Sequence, residues 1–351
     1  MEDKVRFGII GCGVIAPVHA EAIRKAESAE FVACCDVIEE RARKMAENEG
    51  ADYYLDYHKM LAREDIDAVA ICTPSGMHSD MTVDCAQAGK DVVCEKPLDI
   101  KKDKLDKMIS ACRKADVKLG GIFQRRTFAA SRRIKKATEE GQFGKMVLGD
   151  AYLKYFRSQE YYDRAEWRGT RELDGGGALM NQGVHGIDLL QWLMGDVESV
   201  YARTDALVRD IEVEDTAVIN LKFKSGAFGV IEATTSVYPA RPSNLYLHGE
   251  KGTVVLEEQE IKEYEVINQE IDMEKINKGL DGEFKDPADP SSANVQPGHI
   301  EIIQDFVEAV QEDRDPMITG ESARKAVDII LAIYESARTG QEIKVDEFKS
   351  S

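Results

Sequence analysis

The sequence predicts an α/β protein: an N-terminal doubly wound parallel sheet, then a C-terminal α/β domain with a large, mostly antiparallel open sheet. Three observations predict it. Over the first ~120 residues short apolar runs alternate with helical stretches of about 10–15 residues, the pattern of strands joined by right-handed helical crossovers. Beyond them, longer strand candidates follow one another with few helices between. The length of 351 residues suits two domains of roughly 100–200 residues, each able to bury its own core. The division is placed at 1–122 and 123–351.

The elements follow in order. Residues 4–10 form a strand that enters Gly11-Cys12-Gly13-Val14-Ile15-Ala16 and then a helix through residue 26. A second strand at 30–35 stops at Asp36, and helical sequence runs from 38 to 49. Further strands fall at 67–72, 91–94 and 118–121, separated by helices at 79–88 and 102–115. After a helix at 129–140, strands are predicted at 145–156, 197–207, 216–223, 227–236, 244–249 and 253–256. Such a sheet presents one open face, where a substrate would lie. Residues 268–296 carry Asp286-Pro287, Asp289-Pro290 and little periodicity, so they read as an exposed excursion. Helical spacing returns at 299–311 and 321–338.

Charge excludes several partners. Lys+Arg number 46 against 65 Asp+Glu, a net of -19, the wrong sign for coating nucleic acid or an anionic bilayer. Residues 1–122 hold 18 bases and 23 acids, a net of -5, leaving -14 for the rest; residues 257–290 alone hold 12 acids and 4 bases. That run reads as a solvated face. No apolar stretch is long enough to span a membrane, and no basic and apolar leader precedes the first strand, so the chain reads as cytoplasmic. The seven cysteines lie within residues 12–112 without a CxxC pair. They read as small buried apolar residues, and no metal site is predicted.

The chemistry starts at the glycine turn. Gly11, Gly13 and Ala16 fit G-x-G-x-x-G/A between a strand and a helix. The first Gly permits the tight turn, the second lets backbone at Gly13, Val14 and Ile15 approach a pyrophosphate, and the small third residue packs helix on strand. The phosphates then face the helix N-terminus. Asp36, 20 residues after Ala16, would accept hydrogen bonds from ribose hydroxyls and repel a 2′-phosphate, which favours NAD over NADP.

Three further segments stand out: Cys72-Thr73-Pro74-Ser75 with His78; Glu95-Lys96-Pro97; and Asp174-Gly175-Gly176-Gly177 running through Asn181 and His185 to Asp188. With the glycine turn and the two-domain plan, they resemble the Gfo/Idh/MocA oxidoreductases, the glucose-fructose oxidoreductase and inositol dehydrogenase family, over nearly the whole chain. The resemblance implies an N-terminal Rossmann domain, a C-terminal domain whose sheet mediates homodimer or homotetramer formation, and substrates drawn from cyclic sugars, polyols and nucleotide sugars. It maps a catalytic Lys between nicotinamide and substrate onto Lys96, and a polar residue and a His onto Asn181 and His185.

Elementary chemistry agrees with that mapping. Alcohol oxidation moves a hydride to nicotinamide and a proton to a base near the carbinol oxygen. His185 titrates in the right range. Lys96 beside a cationic nicotinamide would have its pKa depressed and could share the proton. Asn181 and His185, four apart, would share one helix face.

Other candidates follow. Thr73, Pro74 and His78, past a strand's C-terminal end, would line the cofactor; Glu95 would touch its ribose or orient Lys96. Gln124 and Arg125 could reach toward nicotinamide and substrate, and Trp167 and Arg168 could cover the nicotinamide pocket. Asp188 could orient His185, with a solvated or capping role as the alternative. His299 reads as a cap neighbour, and His19, His58 and His248 show no constellation. Inositol dehydrogenases typically have Asp where this chain has Asn181; Asn looks more like branches that oxidise sugars or nucleotide sugars, including those acting at C3. The expected function is therefore NAD-dependent oxidation of a secondary hydroxyl on a cyclic sugar, sugar derivative or polyol. An NAD-dependent glycosidase working by transient oxidation, and a non-catalytic dinucleotide-binding regulator, are the alternatives.

Overall fold

The computed structural model describes residues 4–278 and 297–348. Along the first part, β1 (Val5–Ile10), α1 (Ala16–Lys25), β2 (Ala29–Cys35), α2 (Glu39–Glu49), β3 (Asp52–Tyr54), α3 (Tyr57–Leu61), β4 (Ala68–Ile71), α4 (His78–Gln87), β5 (Asp91–Cys94), α5 (Lys102–Ala115) and β6 (Leu119–Gly121) alternate. The six strands pair in the order β3-β2-β1-β4-β5-β6, all parallel. Strand order reverses between β1 and β4, the switch point where such sheets open a ligand crevice. Sheet and helices meet as their sequences require. All four residues of β4 are buried, as a strand covered on both faces must be. On α5 the buried residues are Leu105, Met108, Ile109 and Cys112, a single stripe at i, i+3, i+4 and i+7. All seven cysteines are free thiols, six of them buried.

The second part opens with α6 (Ala129–Glu139) and β7 (Met146–Lys154), then α7 (Gln159–Asp163), a π turn at Ala178–Gly183 and α8 (Val184–Met194). Strands β8 (Val197–Asp205), β9 (Thr216–Phe223), β10 (Phe228–Thr234), β11 (Asn244–Gly249), β12 (Gly252–Glu257) and β13 (Glu260–Val266) precede α9 (Met273–Asn277). After α10 (Pro297–Gln311) and α11 (Gly320–Thr339), β14 (Ile343–Lys344) completes an eight-stranded sheet ordered β13-β12-β11-β7-β10-β9-β8-β14. Only the β7–β10 pair is parallel. Burial alternates strictly along most of β9, so one face is covered and the other open. Helix α8 covers the first, its Gly186 against Leu153 and its Met194 against Gly149 of β7.

Two units result, and their division differs from a single break in the chain. Described residues 4–124 and 297–324 form one unit, 125–278 and 325–348 the other. Residues 297–324 return to the first because α10 completes its core: Phe306 packs against Phe7 with ring centroids 6.3 Å apart, and the Gly121 amide donates to the Ile318 carbonyl. Of the predicted excursion at 268–296, residues 268–278 carry α9; the remainder lies outside the described residues. Among the described residues no helix is long and apolar enough to cross a membrane.

Candidate active site

In the first unit the glycine turn is built as the spacing predicts. Gly11 has φ +93°, and a Cβ there would lie 2.8 Å from the Cys72 carbonyl, so only Gly lets β1 end this close to the end of β4. At Gly13 a Cβ would meet nothing within 4 Å; the backbone there is open to an approaching ligand, and Val14 beside it is exposed. No side chain caps α1 and no acid stands in its first turn, which leaves its positive dipole end, with the backbone of Gly13, Val14 and Ile15 just before it, for an anion. Asp36 accepts the Cys12 amide on Oδ2 and the Ile38 amide on Oδ1, each at 2.8 Å. Its carboxylate is thereby fixed beside the turn, where it suits an unphosphorylated ribose. These residues fit a dinucleotide.

Lys96 follows β5 and is half-buried, its peptide bond to Pro97 cis. The loop around it is tied down from several sides. The imidazole of His78 lies 2.8 Å from both the Pro97 and the Thr73 carbonyls, so this ring braces the Thr73-Pro74 exit of β4 against the Lys96 loop. Its side chain is committed to that brace, and any lining of the cofactor here falls to backbone. Asp99, fully buried, accepts the amides of Ser79, Ile100 and Lys101.

Glu95 is buried, and its partners are two histidines that sequence spacing does not connect. His19 of α1 donates from Nε2 to Glu95 Oε1 at 2.8 Å, and His299 at the start of α10 places its Nε2 3.6 Å from the same oxygen. Oε2 accepts the Lys96 amide at 3.0 Å. Burial alone would raise the Glu95 carboxyl, yet His19 and His299 hold it well below the usual range. Burial opposes charge on His19 as well, but Cys72 and Glu95 beside it push it up to about 10; burial lowers His299. His299 is thus a partner of Glu95 rather than a cap neighbour.

In the second unit, Gly176 and Gly177 are glycines because their surroundings leave no room: added Cβ atoms would fall against the Tyr334 hydroxyl and the Glu214 carbonyl. Buried Glu214 accepts the amides of Gly177 and Leu179 and the Tyr334 hydroxyl at 2.8–3.2 Å, while burial pushes its carboxyl up to about 7. This clamp fixes the π turn that carries Asn181. Asn181 therefore stands in a widened turn rather than in the same regular helix as His185, an irregularity common at functional sites. Asn181 donates to Asp174 at 2.5 Å and accepts from Gln182 at 2.8 Å; Gln182 in turn accepts from Arg157 and donates to Tyr161. Asp174 is buried and also accepts the Gly169 amide. An acid at 181 would set two carboxylates at hydrogen-bond distance, which accounts for Asn here.

His185 is buried in the first turn of α8. Asp188 does not face solvent: it takes Arg126 in a buried two-point ion pair, with bonds of 2.8 and 2.5 Å. Sequence spacing does not single out Arg126, although an acid inside the apolar Ile187-Asp188-Leu189-Leu190 run demands a partner. Arg125 is buried with Glu258 at 3.4 Å, and Gln124 is buried beside it in sequence. Trp167 and Arg168 lie half-buried after α7, the Arg168 guanidinium 4.3 Å from the centroid of Tyr161 and 5.5 Å from that of Trp167. Arg157 also covers Tyr161, and Arg209 covers Phe156. Asn181 on the π turn and His185 on α8 stand on the helix-covered side of the sheet rather than on its open face.

A dinucleotide turn in a doubly wound sheet, a lysine braced at its ligand edge and a second α/β unit presenting Asn and His define a two-domain nicotinamide oxidoreductase. Comparison with known proteins gives the particular kind. Residues 5–122 match the oxidoreductase family with an NAD-binding Rossmann fold, and residues 131–255 match the GFO/IDH/MocA C-terminal domain. The chain belongs to the Gfo/Idh/MocA family of oxidoreductases, and its cofactor is NAD. It is similar to the myo-inositol 2-dehydrogenase of Thermotoga maritima, 30% identical over 98% of this chain and 99% of that one. It is also similar to the WlbA dehydrogenase from Bordetella pertussis, solved in complex with NADH and UDP-GlcNAcA: 35% identity, a TM-score of 0.87, and coverage of 99% of this chain and 100% of that one.

Proposed function

We propose that this enzyme is a dehydrogenase that oxidises a secondary hydroxyl of an anionic sugar derivative of the UDP-GlcNAcA type, with Lys96 and His185 handling the proton. The observation that carries the substrate class is the arginine group of the second unit. In a chain of net charge -19, Arg157, Arg168 and Arg209 gather on the faces of Tyr161 and Phe156. Among the described residues no carboxylate lies within ion-pair distance of Arg168 or Arg209, and the Nε of each is buried without a hydrogen-bond partner. The guanidinium groups of Arg168 and Arg209, held on aromatic faces without an ion-paired carboxylate among the described residues, suit a phosphate or sugar-acid ligand. The likeness to WlbA supports the same class.

Bound NAD supplies the hydride acceptor. Gly13, Val14, Ile15 and Asp36 hold it, with backbone at Thr73 and Pro74; Gln124, Trp167 and Arg168 are assigned to the nicotinamide end. Lys96 shares the hydroxyl proton or polarises the oxygen, His185 accepts the proton, Asn181, fixed by Asp174 and Gln182, aligns the substrate, and Arg125 is assigned to the substrate as well. NADH appearance with UDP-GlcNAcA, UDP-GlcNAc and myo-inositol tests this. The acid should be favoured in kcat/KM by about a hundredfold, because a pocket that holds a charge rejects the analogue lacking it. Arg168→Ala should raise KM about tenfold or more with a smaller change in kcat. Equal or faster turnover of myo-inositol defeats the assignment.

The open face of the eight-stranded sheet, with exposed Leu148, Tyr201, Val218 and Phe228, supports self-association of the chain through that face. Light scattering should give a dimer or tetramer that Phe228→Asp dissociates; a wild-type monomer refutes it.

A further inference from the structure

His19, Glu95 and His299 form a buried cluster whose ligand-type atoms all lie within 4.8 Å of one another. The three come from α1, the end of β5 and the start of α10, far apart in sequence, and the two imidazoles meet edge-on with centroids 5.7 Å apart. Two readings fit such a set: a metal centre or a clamp. His19 Nε2 stands at hydrogen-bond distance, 2.8 Å, from the carboxylate. The Nδ1 atoms of both rings are buried with no acceptor among the described residues, whereas metal-bound imidazoles nearly always donate their second N–H to a fixed partner. The geometry favours the clamp.

We propose that His19 and His299 are positioning residues for Lys96: they hold Glu95 Oε1 so that Oε2 fixes the Lys96 amide and sets a permanent anion beneath the ammonium-bearing loop. This rests on the reading of Lys96 as the proton-handling group. The titratable groups facing the cluster are Cys72 at the end of β4, Cys94 before Glu95, and Lys96 itself. Burial pushes both thiols up, and His19 meets Glu95 from α1 through its Nε2. An Nε2–H donates to Glu95 Oε1 whether the His19 ring is neutral or charged, so the clamp persists across the neutral range.

Competitive acetylation of Lys96 with limiting acetic anhydride, followed by mass spectrometry between about pH 6 and pH 10, needs no substrate. In Glu95→Gln the labelling midpoint should fall by about half a unit or more, with labelling near pH 8 rising about threefold, since the ammonium has lost its neighbouring anion. His19→Leu and His299→Leu should also displace the profile, and His19→Gln, which keeps an N–H donor for Oε1, should restore it. Where a leucine variant does not fold, His19→Gln, His299→Gln and Glu95→Gln carry the comparison. A Lys96 profile unchanged in every folded variant overturns the proposal. So does about one zinc per chain in the purified protein that His19→Leu lacks, which would make the cluster a metal centre. Failure of the catalytic reading shows separately, as turnover that survives Lys96→Ala.

Discussion

Lys96→Ala should lower kcat by about a thousandfold, within the 10²–10⁴ range for loss of a positioned proton-transfer group, while the Kd for NADH moves by no more than about threefold. The separation follows from where the contacts lie. Cofactor binding draws on the α1 N-terminus, the open backbone at Gly13 and the Asp36 carboxylate, none of which depends on the Lys96 side chain. The proton step depends on a group near the carbinol oxygen, and a thousandfold loss corresponds to about 4 kcal/mol of transition-state stabilisation. NADH fluorescence titration and initial rates with UDP-GlcNAcA measure the two halves. A variant that turns over at near the wild-type rate removes Lys96 from the chemistry; one that loses NADH binding as well as turnover makes it a binding residue.

Much of this site is written locally, and the part that is not depends on long-range packing. Thr216–Phe223, Asn244–Gly249 and Lys102–Ala115 coincide with their predicted limits, because each has one clear period and a sharp break at both ends. The edge strand Glu260–Val266 was hidden by its acids, which read as a solvated run. A register shift between Val255 and Leu256 of its partner lets Ile261 and Tyr264, three apart, both point inward, and that spacing defeats a period-2 test. Asp52–Tyr54 is too short to carry any period. Lys96, Asn181 and His185 are marked by the resemblance that Glu95-Lys96-Pro97 and the run from Asp174 to Asp188 carry. His19 and His299 do not, since 280 positions of chain separate two rings that meet on one carboxylate. Pairings of this kind are fixed by how α10 returns to the first sheet, and no local pattern records that return.

Asp188→Ala should cost about 3–5 kcal/mol of stability, among the largest single losses available in the second unit, because it removes the carboxylate that takes a buried guanidinium by two bonds. Asp188 and Arg126 are 0% and 5% exposed, and burial already pushes the Asp188 carboxyl above its usual range in spite of Arg126. That direction shows how strongly desolvation acts at this point of the core: the pair is held together by the cost of separating it. A double replacement, Arg126→Met with Asp188→Leu, removes both charges and keeps apolar volume, so it should recover most of the loss. Urea unfolding at constant m-value measures both variants. The same helix carries His185 one turn earlier, so the two variants also separate stability from catalysis. If the ion pair acts only by avoiding a stranded charge, the double variant regains stability and turnover together. If it regains stability but stays slow, the pair fixes the rotation of α8, and with it the direction of His185. A single Asp188→Ala variant as stable as wild type would mean that Arg126 finds water or another acceptor, and the buried pair would then be an incidental contact.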